Sequence, residues 1–242
     1  MERLAPYLSP RTTIAVAESD HPGRFVALII GEQGNCHGLA KIATDSTGRL
    51  ALGNEARALD SLAKLLPLPL SAPRLLARDT GLLLLEPVRW VPRRNPADLP
   101  DEVARAMGAF FAAHGAGDQM GPTHGDFAPW NLLETGGGWV LVDWEEARDR
   151  DRPFFDLFHY LFMAHQNLAA FSRQDFLDGL EGKGRIGRAI AAYAEGADLR
   201  DVDLRELLIF YLRSSSERLN LASPDGRSDY EARQRLLEML GT

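Results

Sequence analysis

The chain has 242 residues, 45% of them apolar and 25% charged, enough for one large domain or two small lobes around a filled core. Its net charge of −7 excludes a general nucleic-acid binder, whose footprint is basic. No apolar run approaches the ~18 residues of a membrane span, so no membrane partner is expected.

The N-terminal MERLAPYLSP lacks the apolar stretch of an export signal, so a reduced cytoplasmic setting is expected. Three short apolar or β-branched runs follow: TTIAVAE (12–18), RFVALII (24–30) and GLAKIAT (38–44). The turn compositions SDHPG and GEQGN separate them, and strands so closely spaced predict an antiparallel meander. Cys36, the single cysteine, sits beside the second turn and reads as structural or incidental. A helical period from about Gly53 to Leu66 ends at PLPLSAP. GLLLLEPV (81–88) reads as a buried strand running into a proline-marked connector. After RRNPADLP the character changes. DEVARAMGAFFAAHG is a helix with Pro100 near its first turn and Gly115 past its end. A hairpin is centred near Gly137, and from Phe154 onward the pattern is helical. SRQD at 172 and SDYE at 228 read as capping boxes. The sum is an α+β chain of two lobes. Residues 1–90 form a small antiparallel β-sheet lobe with one helix, and residues 91–242 a larger, mainly helical lobe.

Four polar positions stand out against this background. THGDFAPWNLL (123–133) packs His124, Asp126 and Asn131 ahead of two leucines, too polar a run for a core. Folding the chain about Gly137 brings Asn131 opposite, or nearly opposite, Asp143, and a one-residue change of register leaves them neighbours. An amide oxygen and a carboxylate there suit a hard cation such as Mg²⁺, although Asn and Asp also end strands on their own account. In the first lobe Lys41 shares a strand face with Leu39 and Ala43. The chain has three lysines among its 27 basic residues, and the lysine ammonium is a compact charge that can reach phosphate oxygens. In the next helix Leu52, Glu55, Leu59, Leu62 and Leu66 form one stripe. A carboxylate on an apolar stripe needs a partner, and Lys41 is the candidate.

These features together resemble the aminoglycoside phosphotransferase and choline kinase-like family, small-molecule relatives of the protein kinases. HGDFAPWN is similar to that family's catalytic loop, with the H-x-D-x-x-x-x-N spacing. VLVDWEEA is similar to the segment carrying the second metal ligand, and DRPFFDLFHYL to the Asp-Pro-x-x-Asp-Leu stretch after it. The resemblance covers roughly residues 12 to 160. It implies a two-lobed protein-kinase-like fold that binds ATP and Mg²⁺ and phosphorylates a hydroxyl of a small molecule. Asp126 would orient that hydroxyl and take its proton. Asn131 and Asp143 would hold the metal. Lys41 would touch the phosphates, held by Glu55, and main-chain groups near Glu86 and Val88 would bind adenine. His124, Phe127 and Trp130 would anchor the loop, and Asp156 would cap the next helix and brace the loop. A monomer or homodimer is expected. Two departures are visible. The phosphate-covering turn would be ESDHPGR (18–24), poor in glycine, and the segment after Asp156 is short for the family. Two other classes are a catalytically silent nucleotide-binding module and a metal-dependent hydrolase built on His124, Asp126, Asp143 and His159.

Overall fold

The computed structural model describes residue 8 and residues 11–18, 23–114 and 120–241. β1 (Thr13–Glu18), β2 (Arg24–Ile30) and β3 (Cys36–Ala43) form the expected meander. α1 (Ser46–Asp60) begins well before the Gly53 start read from the sequence. The Asp45 carboxylate accepts the Gly48 N–H at 2.7 Å, so Asp45 is the helix N-cap. A 3-10 turn at Leu62–Leu65 extends the same apolar stripe. Leu52, Glu55, Leu59 and Leu62 are all buried along it.

The chain then adds β4 (Leu70–Ser71), β5 (Leu75–Asp79) and β6 (Leu82–Leu85). The sheet order is β1-β2-β3-β6-β5, with antiparallel neighbours. β6 lies between β3 and β5 and is wholly buried, which is why it reads as an unbroken leucine run without alternation. β5, half-exposed next to it, lacks that signal and was not read as a strand. α2 (Asp101–Phe111) starts behind Pro100 as expected, and Gly115 lies outside the described residues. β7 (Gly121–Thr123) leads into the quoted loop. β8 (Leu132–Thr135) and β9 (Gly138–Leu141) make the hairpin, with β4 parallel to β9. β10 (Arg148–Asp151) pairs with β7.

Five helices complete the chain: α3 (Phe155–Leu168), α4 (Arg173–Leu180), α5 (Gly184–Ala197), α6 (Leu204–Ser216) and α7 (Pro224–Met239). Ser172 and Asp175 form the capping box foreseen for α4. Ser228 caps nothing. α7 starts earlier, at Ser223, whose hydroxyl accepts the Gly226 N–H with Pro224 in the first turn. The aromatic core of this half holds Phe110, Phe154, Phe158, Tyr193 and Tyr211. Leu59, Leu62, Leu70 and Leu85 join that same core. The sheet lobe is therefore seated on the helical lobe through one apolar mass. No helix among the described residues is long and apolar enough to cross a membrane.

Candidate active site

Lys41 comes from β3, Glu55 from α1 and Asp143 from the end of β9, and the three meet. Lys41 Nζ lies 2.7 and 2.8 Å from the two Glu55 carboxylate oxygens and 2.7 Å from Asp143 Oδ1. Glu55 is almost fully buried. Burial works against the Lys41 ammonium, but Glu55 and Asp143 outweigh it and hold its pKa above the ordinary 10.5. Burial pushes the Glu55 carboxyl upward as well, Lys41 pulls it down, and the Asp143 charge adds to the upward push. The two directions conflict only at first sight. Lys41 faces two anions, whereas Glu55 faces one cation, one anion and a dry environment.

Side chains of α1 and β2 clamp the segment after Asp143 to the sheet lobe. Asn54, next to Glu55 in sequence, donates to the carbonyls of Glu145 and Ala147. Arg24 of β2 forms a buried ion pair with Glu145, Nη2 to Oε1 at 2.8 Å. Asp143 itself adopts the left-handed conformation, φ 70° and ψ 66°, which Asp tolerates better than most residues. Among the described residues, Glu55, Asp143 and Glu145 are the His, Cys or carboxylate side chains close enough to share an ion. Lys41 and Arg24 already sit on them. The set His124, Asp126, Asp143 and His159 does not converge on one point: Asp126 and His159 pair with each other while Asp143 pairs with Lys41.

The stretch 123–133 is held from several sides. Gly125 has φ +82°, and a Cβ there would lie 2.0 Å from the Glu146 carbonyl. Asp156 accepts the backbone N–H groups of His124 and Gly125 at 2.7 and 2.9 Å. It thus braces the loop without capping α3, whose N-cap is Phe154. Burial pushes the Asp156 carboxyl up to about 6, against those two donors. His124 is fully buried, lies edge-on to Trp144, and has Nε2 3.1 Å from the Val142 carbonyl. Burial depresses its pKa to about 4, so it is neutral and its Nε2–H donates. Phe127 is buried against Tyr160. Trp130 is not in the core: it is 47% exposed. Phe127 precedes a tight turn in which the Asn131 N–H bonds the Ala128 carbonyl, and Trp130 lies within that turn.

Asn131 Nδ2 donates to the Asp126 carbonyl and to Asp126 Oδ2, both at 2.9 Å. The β8–β9 register pairs Leu132 with Leu141, so Asn131 stands opposite Val142, with Asp143 one residue on. The turn is centred between Gly136 and Gly137, not on Gly137. Burial disfavours the Asp126 carboxylate, but the His159 hydrogen bond, the neighbouring histidines and Asn131 prevail and lower its pKa. A cleft of about 420 Å³ opens between the sheet and the hairpin, lined by Leu39, Lys41, Glu86, Val88, Asn131 and Asp143 among others. The Glu86 N–H is committed to the Arg74 carbonyl, so Glu86 can offer its carbonyl to a ligand. A second cavity, of about 260 Å³, is lined by Gly125, Asp126, Glu146, Phe155, His159 and Met163 among others.

No family model matches the sequence, and none of the curated proteins does. Solved structures resemble its fold. A choline kinase from Cryptosporidium parvum superposes with a TM-score of 0.64 at 10% identity, over 96% of this chain and 89% of that one. A macrolide 2′-phosphotransferase from Brachybacterium faecium gives 0.61 at 16% identity, over 96% of each chain. An amicoumacin kinase in complex with AMP-PNP and Ca²⁺ gives 0.51 at 15% identity, over 93% and 88%. The chain has a protein-kinase-like fold.

Within the kinase-like fold, all seven residues named from the sequence line the cleft or touch one that does. Lys41, Glu86, Val88, Asn131 and Asp143 line it, Glu55 holds Lys41, and Asp126 is bonded to Asn131. The phosphate-covering turn falls mostly on 19–22, outside the described residues. Sequence reasoning missed two participants. Arg24 and Asn54 carry no local signal, because their partner Glu145 is 121 and 91 positions away. His159 entered only as a ligand in the hydrolase reading, and its ring is hydrogen-bonded to Asp126.

Proposed function

We propose that this chain is a small-molecule kinase that transfers the γ-phosphate of Mg-ATP to a hydroxyl group. One observation carries the proposal. Asn131 lines the larger cleft, Asp126 lines the second cavity, and the two side chains are hydrogen-bonded at 2.9 Å. A nucleotide in the first space and an alcohol in the second would meet at that bond, the arrangement an in-line transfer needs. In this reading residues 1–90 supply the nucleotide lobe and residues 91–242 the catalytic and acceptor lobe.

The residues fit the metal such chemistry uses. Asn131 has its Nδ2 spent on Asp126, which leaves its Oδ1 for a cation beside the Asp143 carboxylate, and both are the hard oxygens Mg²⁺ prefers. Bound there, Mg²⁺ would neutralise phosphate charge. Lys41, freed from Asp143 when the metal takes that carboxylate, would contact the phosphates while Glu55 keeps it aimed. Glu86 and Val88 would present main-chain groups to the base. Asp126, ionised at neutral pH, would accept the acceptor's O–H and take its proton as the oxygen attacks. The solved kinases that share the fold act, by their names, on small molecules, and one holds AMP-PNP with Ca²⁺. The test has two stages. Isothermal titration should show Mg-ATP binding, and a screen of hydroxyl metabolites should return a compound that accelerates ADP release. Absence of nucleotide binding in the presence of Mg²⁺ would refute the proposal.

A further inference from the structure

His159 has no part in the chemistry above, yet it is built into the same carboxylate. Each oxygen of Asp126 accepts one hydrogen bond: Asn131 Nδ2 reaches Oδ2 at 2.9 Å, and His159 Nε2 lies 2.9 Å from Oδ1. A carboxylate only accepts, so the imidazole must carry its hydrogen on Nε2. The far side of the ring shows what keeps it there. The Tyr211 hydroxyl lies 3.2 Å from Nδ1, with the two rings edge-on at 82°. Burial drives the Tyr211 pKa up to about 12, so the phenol stays protonated. Arg233 and Ser215 pull its pKa the other way without outweighing burial. Arg233 is a donor only, and it is itself fixed by Ser215 Oγ at 3.0 Å and the Asp229 carbonyl at 3.1 Å. With the ring's hydrogen on Nε2, Nδ1 is the acceptor, and the protonated phenol gives its hydrogen to it. A relay of oriented donors runs from Tyr211 on α6, through His159 on α3, to Asp126.

We propose that His159 is the positioning residue of Asp126. Together with Asn131 it fixes the plane of the carboxylate, so that a remaining lone pair faces the second cavity, where the acceptor hydroxyl arrives. His159 and Asp126 both line that cavity. The inference rests on the phosphotransfer reading, and without the second anchor Asp126 could turn about its Cα–Cβ and Cβ–Cγ bonds while still bonded to Asn131. A displacement near 1 Å at a reacting group lowers rate on the order of 10²-fold.

The test compares His159→Leu, which removes the donor, with His159→Gln, which can return an N–H to the same region. ADP release from Mg-ATP is measured with water as acceptor and with the fastest hydroxyl compound of the screen. The expected result for His159→Leu is a kcat lower by on the order of 10²-fold, with KM for ATP within a few-fold. His159→Gln should recover most of the loss. Nitrogen-15 correlation spectra of the wild-type imidazole should show a hydrogen on Nε2, and Tyr211→Phe should disturb the ring's signals. Near-wild-type kcat in His159→Leu, a His159→Gln variant as impaired as His159→Leu, or a wild-type ring with its hydrogen on Nδ1 would each overturn the proposal. Failure of the wild type to bind Mg-ATP would instead bring down the phosphotransfer reading, and this inference with it.

Discussion

Lys41→Met is the most revealing single change at the Lys41–Glu55–Asp143 cluster. It keeps a similar chain length but withdraws the cation shared by two carboxylates at 2.7 Å. Glu55 then remains on a buried helix face beside the negative Asp143, and removing one partner of a buried ion pair costs about 3–5 kcal/mol. Asp143 is partly exposed, so its share is screened and the lower end applies, about 3 kcal/mol. For a chain of this size that corresponds to a fall in Tm of about 6–12 °C. The pH dependence has a definite sign. Burial holds the Glu55 pKa above its unfolded value even with Lys41 present, and losing the ammonium raises it further. A folded-state pKa above the unfolded one means stability is lost as pH rises, so the variant should be least stable near neutrality and recover as pH falls toward 5. Adding Glu55→Gln to Lys41→Met should restore part of the loss, with a coupling on the order of 2 kcal/mol. Urea melts of the four proteins at pH 5 and pH 7 provide the measurement. A Lys41→Met variant within about 1 kcal/mol of wild type, or strictly additive effects, would show that the ion pair does not exist in solution.

Three further outcomes follow from the same geometry. Asp126→Asn should lower turnover on the order of 10²–10⁴-fold with Mg-ATP affinity within a few-fold; Asp143→Asn should impair both, as titration calorimetry beside ADP release will show, and equal binding defects would make Asp126 a metal ligand or fold support. Gly125→Ala must place a Cβ 2.0 Å from the Glu146 carbonyl at φ +82°, so a loss of about 2–4 kcal/mol in chemical denaturation is expected, from left-handed strain and overpacking. His124 and Asp156 oppose each other in acid. His124, depressed to about 4, contributes stability that is lost as pH falls from about 6.5 to 4, whereas Asp156, raised to about 6, contributes stability gained over a similar window. Asp156→Asn removes the second effect, so its stability relative to wild type should fall on the order of 2–3 kcal/mol from pH 6.5 to pH 4, and parallel profiles would contradict this.

How far the site is legible in the sequence depends on whether a residue's role is set by local periodicity or by where remote elements dock. Lys41 and Glu55 were readable because a strand face and a helix stripe each leave one charged residue among apolar ones, and the two stretches are adjacent in sequence. Asn131 and Asp143 were readable because a triglycine turn mirrors one onto the other, and the actual register moves the pairing by a single residue. The start of α1 was hidden because Asp45 serves equally well as a turn residue and as a cap, and only the Gly48 N–H decides between them. Trp130 was misplaced inward because the sequence offers two aromatics in one loop and no period to tell them apart. The clamp of Arg24 and Asn54 on the Asp143 segment and the relay through His159 and Tyr211 depend on how whole helices dock. No local pattern encodes that, although both decide how rigidly the readable residues are held.

That division has a physical consequence for function. The four positions readable from sequence are spread over the two lobes, Lys41 and Glu55 in one, Asn131 and Asp143 in the other. In this structure Lys41 spans the gap by bonding Asp143 directly. On the proposed kinase reading, a cation held by Asp143 would compete for that carboxylate, and nucleotide binding would exchange one ion pair for another across the cleft. The buried Arg24–Glu145 pair and the Asn54 bonds to the Glu145 and Ala147 carbonyls do not take part in that exchange. They can keep α1 and the Asp143 segment in register while Lys41 changes partner. Residues invisible to sequence reasoning thus give the visible ones a fixed frame in which a charge can be handed over without the lobes coming apart.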